Sequence, residues 1–269
     1  MLASMKHDRL RAVVRAVLEL VILFVGVDAQ AQQRVRRRFD PEDLKLEAPG
    51  VVHADLAFGV VRGEEGGRWL VPDFDVDVGL APNVEVGVDG AWAIEGTPQQ
   101  RYALDHRAPD NLWLSSKAGL WESKDEARRT VWAFGGQLGP RVPVAPNAHG
   151  TGFEALALLA RRAGPMHLVL NLGGLVESGA EVRRGRPEAV LTGLDASFDL
   201  DDRGRFALAA DLGGVFFVTG EKAQLASTAG LVWATTSWLD LGVSAMMGFL
   251  AGGDRYGMIL NFSPKLALF

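Results

Sequence analysis

The sequence predicts an all-β chain closed into a single antiparallel barrel of about 12 strands, and three observations carry that prediction. Apolar residues recur at every second position from residue 51 to the C-terminus. The segments showing this alternation are even in number, so a sheet that closes on itself leaves no exposed edge. The connections alternate between tight turns, at 80–83 and 200–204, and longer or glycine-rich loops at 95–110, 140–150 and 177–186.

The segments begin near residues 51, 68, 84, 111, 129, 151, 165, 187, 205, 223, 238 and 254. In the first, Val52, Ala54, Leu56, Phe58 and Val60 alternate with His53, Asp55, Ala57 and Gly59. The second contains VPDFDVDVGL (71–80), which sends Asp73, Asp75 and Asp77 to one face and Phe74, Val76 and Val78 to the other. A calcium loop also spaces acids this way, but it needs glycine directly after the third acid and glutamate at its twelfth position. This chain has Val78 and Val84 there, so no metal site is expected. In the third, Val84, Val86, Val88, Trp92 and Ile94 oppose Glu85, Gly87, Asp89, Ala91 and Ala93. The alternation returns with Leu112, Leu114, Ala118 and Leu120, with Leu168, Leu170 and Leu172, and with Val190, Leu194, Ala196 and Phe198. It continues through Phe206, Leu208, Ala210, Leu212 and Phe216, then Leu239 to Phe249, and ends with Met258, Leu260 and Phe262. Pro264 would mark a bulge in the terminal strand, and Pro72 is tolerable only near a loop end.

The N-terminus reads as an export signal at 1–31. Lys6, Arg9, Arg11 and Arg15 precede the short apolar core LVILFVGV (20–27), and Ala29-Gln30-Ala31 fits the pattern before a signal-peptidase cut. That core is much shorter than the roughly 20 residues a membrane-spanning helix needs. A polar periplasmic lead-in occupies 32–50 and the barrel 51–269. The formal charge of -5 offers no basic stripe for nucleic acid beyond RVRRRF (34–39). The absence of cysteine excludes disulfides, thiolate metal sites and cysteine nucleophiles.

Two surroundings fit a two-faced strand. In an outer-membrane barrel the aspartates line the lumen and the Phe/Val rows face lipid, because a charge near mid-bilayer costs about 2 to 4 kcal/mol for Lys or Arg. In a soluble exported β protein the apolar rows would turn inward. The seven tryptophans, Trp69, Trp92, Trp113, Trp121, Trp132, Trp233 and Trp238, lie near segment ends, as an interfacial belt requires. By parity Trp92, Trp132 and Trp233 point outward.

The hairpin DFDVDVGLAPNVEVGVDGAWAIEG (73–96), DNLWLSSKAGLW (110–121), VWAFGGQLGPRVPV (131–144) and the terminal strand MILNFSPKLALF resemble the bacterial outer-membrane family named for the MetA pathway of phenol degradation. The resemblance covers most of residues 50–269 and includes a strand-borne lysine matching Lys117. It implies a signal peptide, one outer-membrane barrel in a Gram-negative bacterium, and a role in uptake of small molecules, aromatic ones among them. The terminus departs from the glycine and paired aromatics common at the end of such barrels.

Pairing neighbouring segments symmetrically about their loops sets Asp75 opposite Asp89, Asp55 beside Asp75 and Lys117 beside Asp89. Asp55, Asp75, Asp89 and Lys117 then form a lumenal row, with Asp73, Asp77 and Glu85 nearby. Asp195, Asp199, Asp211 and Asp240 share the inward parity, and Lys117 and Arg205 are the opposing charges. Such a row is either a solvated, salt-bridged wall or an acidic constriction favouring cations. Inward small residues, Gly79 and Gly119 among them, favour an open lumen. No G-x-S-x-G, Walker loop, Rossmann glycine pattern or H-E-x-x-H occurs, and nothing sets a nucleophile beside His53 or His167. The expectation is therefore a non-enzymatic barrel without catalytic residues or cofactor. Its partners are outer-membrane lipids and a small-molecule solute. The alternatives are a structural or surface-interaction barrel with a closed lumen, and a soluble exported β protein.

Overall fold

The computed structural model describes residues 44, 46–63, 67–95, 111–143, 151–177, 188–218, 222–251 and 253–268. The export-signal segment 1–31, most of the lead-in, and most of the loops at 95–110, 140–150 and 177–186 lie outside the described residues. The strands are β1 (Val51–Arg62), β2 (Gly67–Ala81), β3 (Val84–Glu95), β4 (Asn111–Asp125), β5 (Thr130–Pro143) and β6 (Gly152–Ala163). They continue with β7 (Met166–Glu177), β8 (Glu188–Asp199), β9 (Phe206–Phe217), β10 (Gln224–Ala234), β11 (Leu239–Gly248) and β12 (Tyr256–Ala267). Every start falls within two residues of its expected position.

The strands form one closed barrel in which each pairs antiparallel with its sequence neighbour and β12 returns to β1. Closure gives every strand a partner on both sides, the condition a sheet must meet where no water can satisfy its backbone. The short turns, 82–83, 126–129, 164–165, 200–205 and 235–238, share one end of the barrel with both termini of the sheet. One of these turns is held by Asp201, whose Oδ1 accepts from the amides of Arg205 and Phe206 at 2.6 and 3.3 Å. Its Oδ2 accepts from Arg205 Nε at 3.1 Å, and Gly204 supplies the positive φ of 64°. Desolvation alone would raise the Asp201 pKa; the hydrogen bonds from Arg205 and the two amides outweigh it and hold the carboxyl below its ordinary value.

The period-two pattern resolves the choice of surroundings. Leu170, Leu172, Leu194, Leu208, Val243 and Leu260 are exposed, whereas His53, Asp77, Glu85, Lys117, Asp195, Asp211 and Asp240 are buried. Apolar rows therefore cover the outside and polar rows line the lumen. That is the inversion a lipid solvent imposes, and it removes the soluble reading. Strand lengths from 10 to 15 residues reach or exceed the roughly 9 to 11 that a tilted strand needs to span a bilayer.

Bulges make the aromatic belt fuller than simple parity predicts. An extra residue in β2 between Leu70 and Asp73 reverses parity, so that Trp69 turns outward; Pro72 sits within this irregularity. A second bulge between Gly119 and Trp121 turns Trp121 outward beside Phe134. At the short-turn end Trp233 stacks on Phe206 with ring centroids 6.0 Å apart, Trp238 is exposed nearby, and Arg161 lies 5.3 Å over Trp132. Trp69, Phe153 and Tyr256 mark the loop end. Trp113 is the exception: it points into the barrel and donates its indole N–H to the Gly139 carbonyl at 3.2 Å. The Trp92 side chain lies outside the described residues.

The bulge expected at Pro264 is absent. The β1–β12 pairing keeps one register on both sides of the proline, from Val51↔Ala267 and His53↔Lys265 to Leu56↔Phe262, and Pro264 pairs in register with Leu239. A proline lacks only the N–H, so it removes one donor without displacing a residue.

Depth along the barrel should govern the cost of charge on its outer face. Leu170→Arg, at mid-strand, is expected to destabilise the protein in lipid vesicles by about 2 to 4 kcal/mol, and Met166→Arg, beside the turn, by about 0 to 1. Denaturant unfolding in vesicles checks the gradient.

Candidate functional site

The acidic row is built by β1, β2 and β3. Their registers pair Asp55 with Asp75 and Asp75 with Asp89, as the symmetric pairing anticipates. Asp73 pairs with Ala57 and Ala91, while Asp77 lies between His53 and Gly87. Gly87 is small because the space above it belongs to its neighbours: an added Cβ would collide with Asp77 Oδ1 and come 3.2 Å from Ser115 Oγ.

Lys117 is displaced from its expected place. Asp89 pairs with Trp113, and Lys117 pairs with Glu85, four residues earlier on β3. The connection at 96–110 is too long to impose a register, so the buried groups decide it. Lys117 Nζ lies 3.0 Å from Glu85 Oε1, with both side chains almost wholly withdrawn from solvent. Arg205 also leaves the lumen: it is exposed in the 200–205 turn, bound to Asp201.

Several lumenal groups escape a reading by strand pairs. Lys265 on β12 pairs across the seam with His53. Arg141 on β5 binds Glu154 on β6, and Gln137 Nε2 donates to Ser115 Oγ at 2.9 Å. On the far wall Asp195 and Asp211 are direct cross-strand partners, and Thr228 N donates to Asp211 Oδ1 at 3.3 Å. Lys265 and Arg141 carry the same parity as Ser263 and Gln137, the only sequence signal for them.

The most consequential of these groups precedes the barrel. Glu47, in the lead-in expected to hang outside, is buried to 1% exposure within the short-turn end of the lumen. Its amide donates to Glu85 Oε2 at 2.7 Å, and its Oε1 lies 3.6 Å from His53 Nδ1 and 3.9 Å from Lys265 Nζ. His53 Nε2 in turn lies 3.5 Å from Asp55 Oδ1. One connected network therefore joins the lead-in, β1, β3, β4 and β12. Chemically it can position and screen charge. Among the described residues no group of three or more His, Asp or Glu side chains is arranged to hold a metal ion.

A closed antiparallel sheet with apolar rows outside, aromatics at both rims and carboxylates within is an outer-membrane-type β-barrel. No family model matches the chain, and no curated protein matches it. Among solved structures it is similar to a KdgM porin at 8% identity and a TM-score of 0.47, over 79% of this chain and 98% of that one. It is also similar to the outer-membrane phospholipase A of Escherichia coli, at 10% identity and 0.45, over 81% and 97%. A third is opdK of Pseudomonas aeruginosa, at 8% and 0.42, over 80% and 97%. At these scores the likenesses carry no functional weight.

Removing one member of the buried pair should cost more than removing its charge altogether. Lys117→Met strands Glu85 and is expected to destabilise the barrel by about 3 to 5 kcal/mol. The double variant Lys117→Met with Glu85→Gln keeps an acceptor for the Glu47 amide and should recover most of that loss in denaturant titrations.

Proposed function

We propose that the chain is an outer-membrane barrel of a Gram-negative bacterium, exported by its 1–31 signal, that passes small solutes through an acidic lumen and favours cations. The carrying observation is the side-by-side placement of Asp55, Asp75 and Asp89 on one wall. Like charges on adjacent strands repel, and a mobile cation relieves that repulsion, the principle by which acidic rings select cations. Asp73, Asp77 and Glu85 extend the wall, and Lys117 offsets Glu85 locally. The resemblance to the MetA-pathway family adds aromatic solutes as a class to test. The reading assigns no chemistry to the lumen and needs no cofactor.

A second reading, a closed barrel acting through its loops, is favoured by one observation. The short-turn end of the lumen holds Glu47 within a network whose members His53, Glu85 and Lys117 are almost wholly buried.

Planar-bilayer recording of refolded protein spanning 32–269 separates the two. Passage predicts unitary steps with a reversal potential on the cation-selective side under a salt gradient. Asp75→Asn combined with Asp89→Asn should move that potential toward zero; an unmoved value overturns the acidic-row reading. Silence from protein that is inserted, shown by heat-modifiable mobility, would favour the closed barrel.

A further inference from the structure

We infer that Leu44 and residues 46–50 belong to an internal strap that lies across the lumenal wall at the short-turn end and restricts the passage, released by displacement from a track of glycines. The inference rests on the reading of the barrel as a passage.

The track is visible in what side chains at certain glycines would meet. A Cβ at Gly135 on β5 would collide with Leu44 Cδ1 as well as with the Ala118 carbonyl oxygen of β4, and one at Gly119 on β4 would come 3.2 Å from Leu46 Cδ1. At Gly79 on β2 it would collide with the Ala48 carbonyl and fall 2.6 Å from the Glu47 carbonyl oxygen. Gly119 and Gly135 are direct cross-strand partners, and between them and Gly79 stands Glu85 of β3, which accepts the Glu47 amide. The strap thus crosses β5, β4, β3 and β2 in order. Its length agrees: the four residue steps from Leu44 to Ala48 reach about 14 Å when extended, and three inter-strand spacings also come to about 14 Å. The inward Gly79 and Gly119 therefore make room for chain, not for an open lumen.

The strap enters β1 through a tight reversal. Val51 N donates to Ala48 O at 3.0 Å, with Pro49 and Gly50 between them and Gly50 at a φ of 78°. Proline second and a positive-φ glycine third define a type II turn. The turn is fixed to the barrel on both flanks, by Gly50 N to Gly79 O at 2.9 Å and Leu268 N to Gly50 O at 2.8 Å. The fixed turn gives the strap a pivot. Leu44 and Leu46 pack on bare glycine, a surface that offers contact without a side chain to interlock. The polar hold is concentrated at Glu47.

Three forms of the 32–269 protein test the strap in planar bilayers. Gly79→Val fills the track at a position where the three atoms nearest the added Cβ all belong to the strap, and changes no side chain of the Glu47 network. Deletion of 32–49 removes the strap outright. Leu46→Cys with Gly119→Cys, in a chain with no other cysteine, allows a short bifunctional thiol reagent to pin it. The strap predicts efficient cross-linking, larger unitary steps from folded Gly79→Val and deletion proteins than from wild type, and small steps from the pinned form. Wild-type steps from both Gly79→Val and the deletion would overturn it, as would failure of the paired cysteines to cross-link. Efficient cross-linking with silence from every inserted form would sink the passage reading, and with it the strap's role as a restriction, while leaving its position established.

Discussion

The ladder between β1 and β12 is the constraint on which the remainder depends. Within hydrocarbon an unpaired backbone amide or carbonyl costs several kcal/mol, so a membrane sheet with a free edge is not viable. Joining Val51–Arg62 to Tyr256–Ala267 removes the edges. Closure then divides every side chain between lipid and lumen, and the period of two decides which goes where. It also explains why Pro264 is tolerated: the seam keeps its register on either side of the one residue that lacks a donor.

Once the lumen is sealed from lipid it becomes the place where charge can be kept, but at a price in solvation. The chain answers with pairing and with small neighbours. Glu85 is matched by Lys117 and by a backbone amide, Glu154 by Arg141, and Asp77 by the room above Gly87. The register of β3 against β4 follows from the same need. Shifting Lys117 back toward Asp89 would strand Glu85 in a site that excludes water, and leaving an uncompensated charge there is more costly than rearranging a long exterior connection.

Much of the fold was legible in the sequence because the barrel obeys one rule repeated along the chain. Strand starts, the side bearing the short turns, and the Asp55–Asp75–Asp89 neighbours all follow from alternation and tight hairpins. What was not legible has identifiable causes. The β2 and β4 bulges insert single residues that invert parity for Trp69 and Trp121; Pro72 marks the first as a misfit, and no residue type announces the second. The partner of Lys117 does not follow from symmetric pairing because a long connection carries no register. Parity carried past the end of a strand places Arg205 in the lumen, whereas in the turn Asp201 captures it. Glu47 lies in surroundings that read as a polar lead-in, although Leu44 and Leu46 carry a short alternation of their own and Pro49-Gly50 is a recognisable turn.

Gly50 has a bearing on how the molecule is made. Its carbonyl accepts from Leu268, beyond the end of the last strand, while its amide donates to Gly79 in the first hairpin. The beginning and the end of the sheet therefore meet at the turn that carries Glu47. The final rung of the seam takes its acceptor from that turn, so seating Pro49-Gly50 and completing the sheet at Leu268 are coupled, and a change at the turn reaches the C-terminal end of the chain.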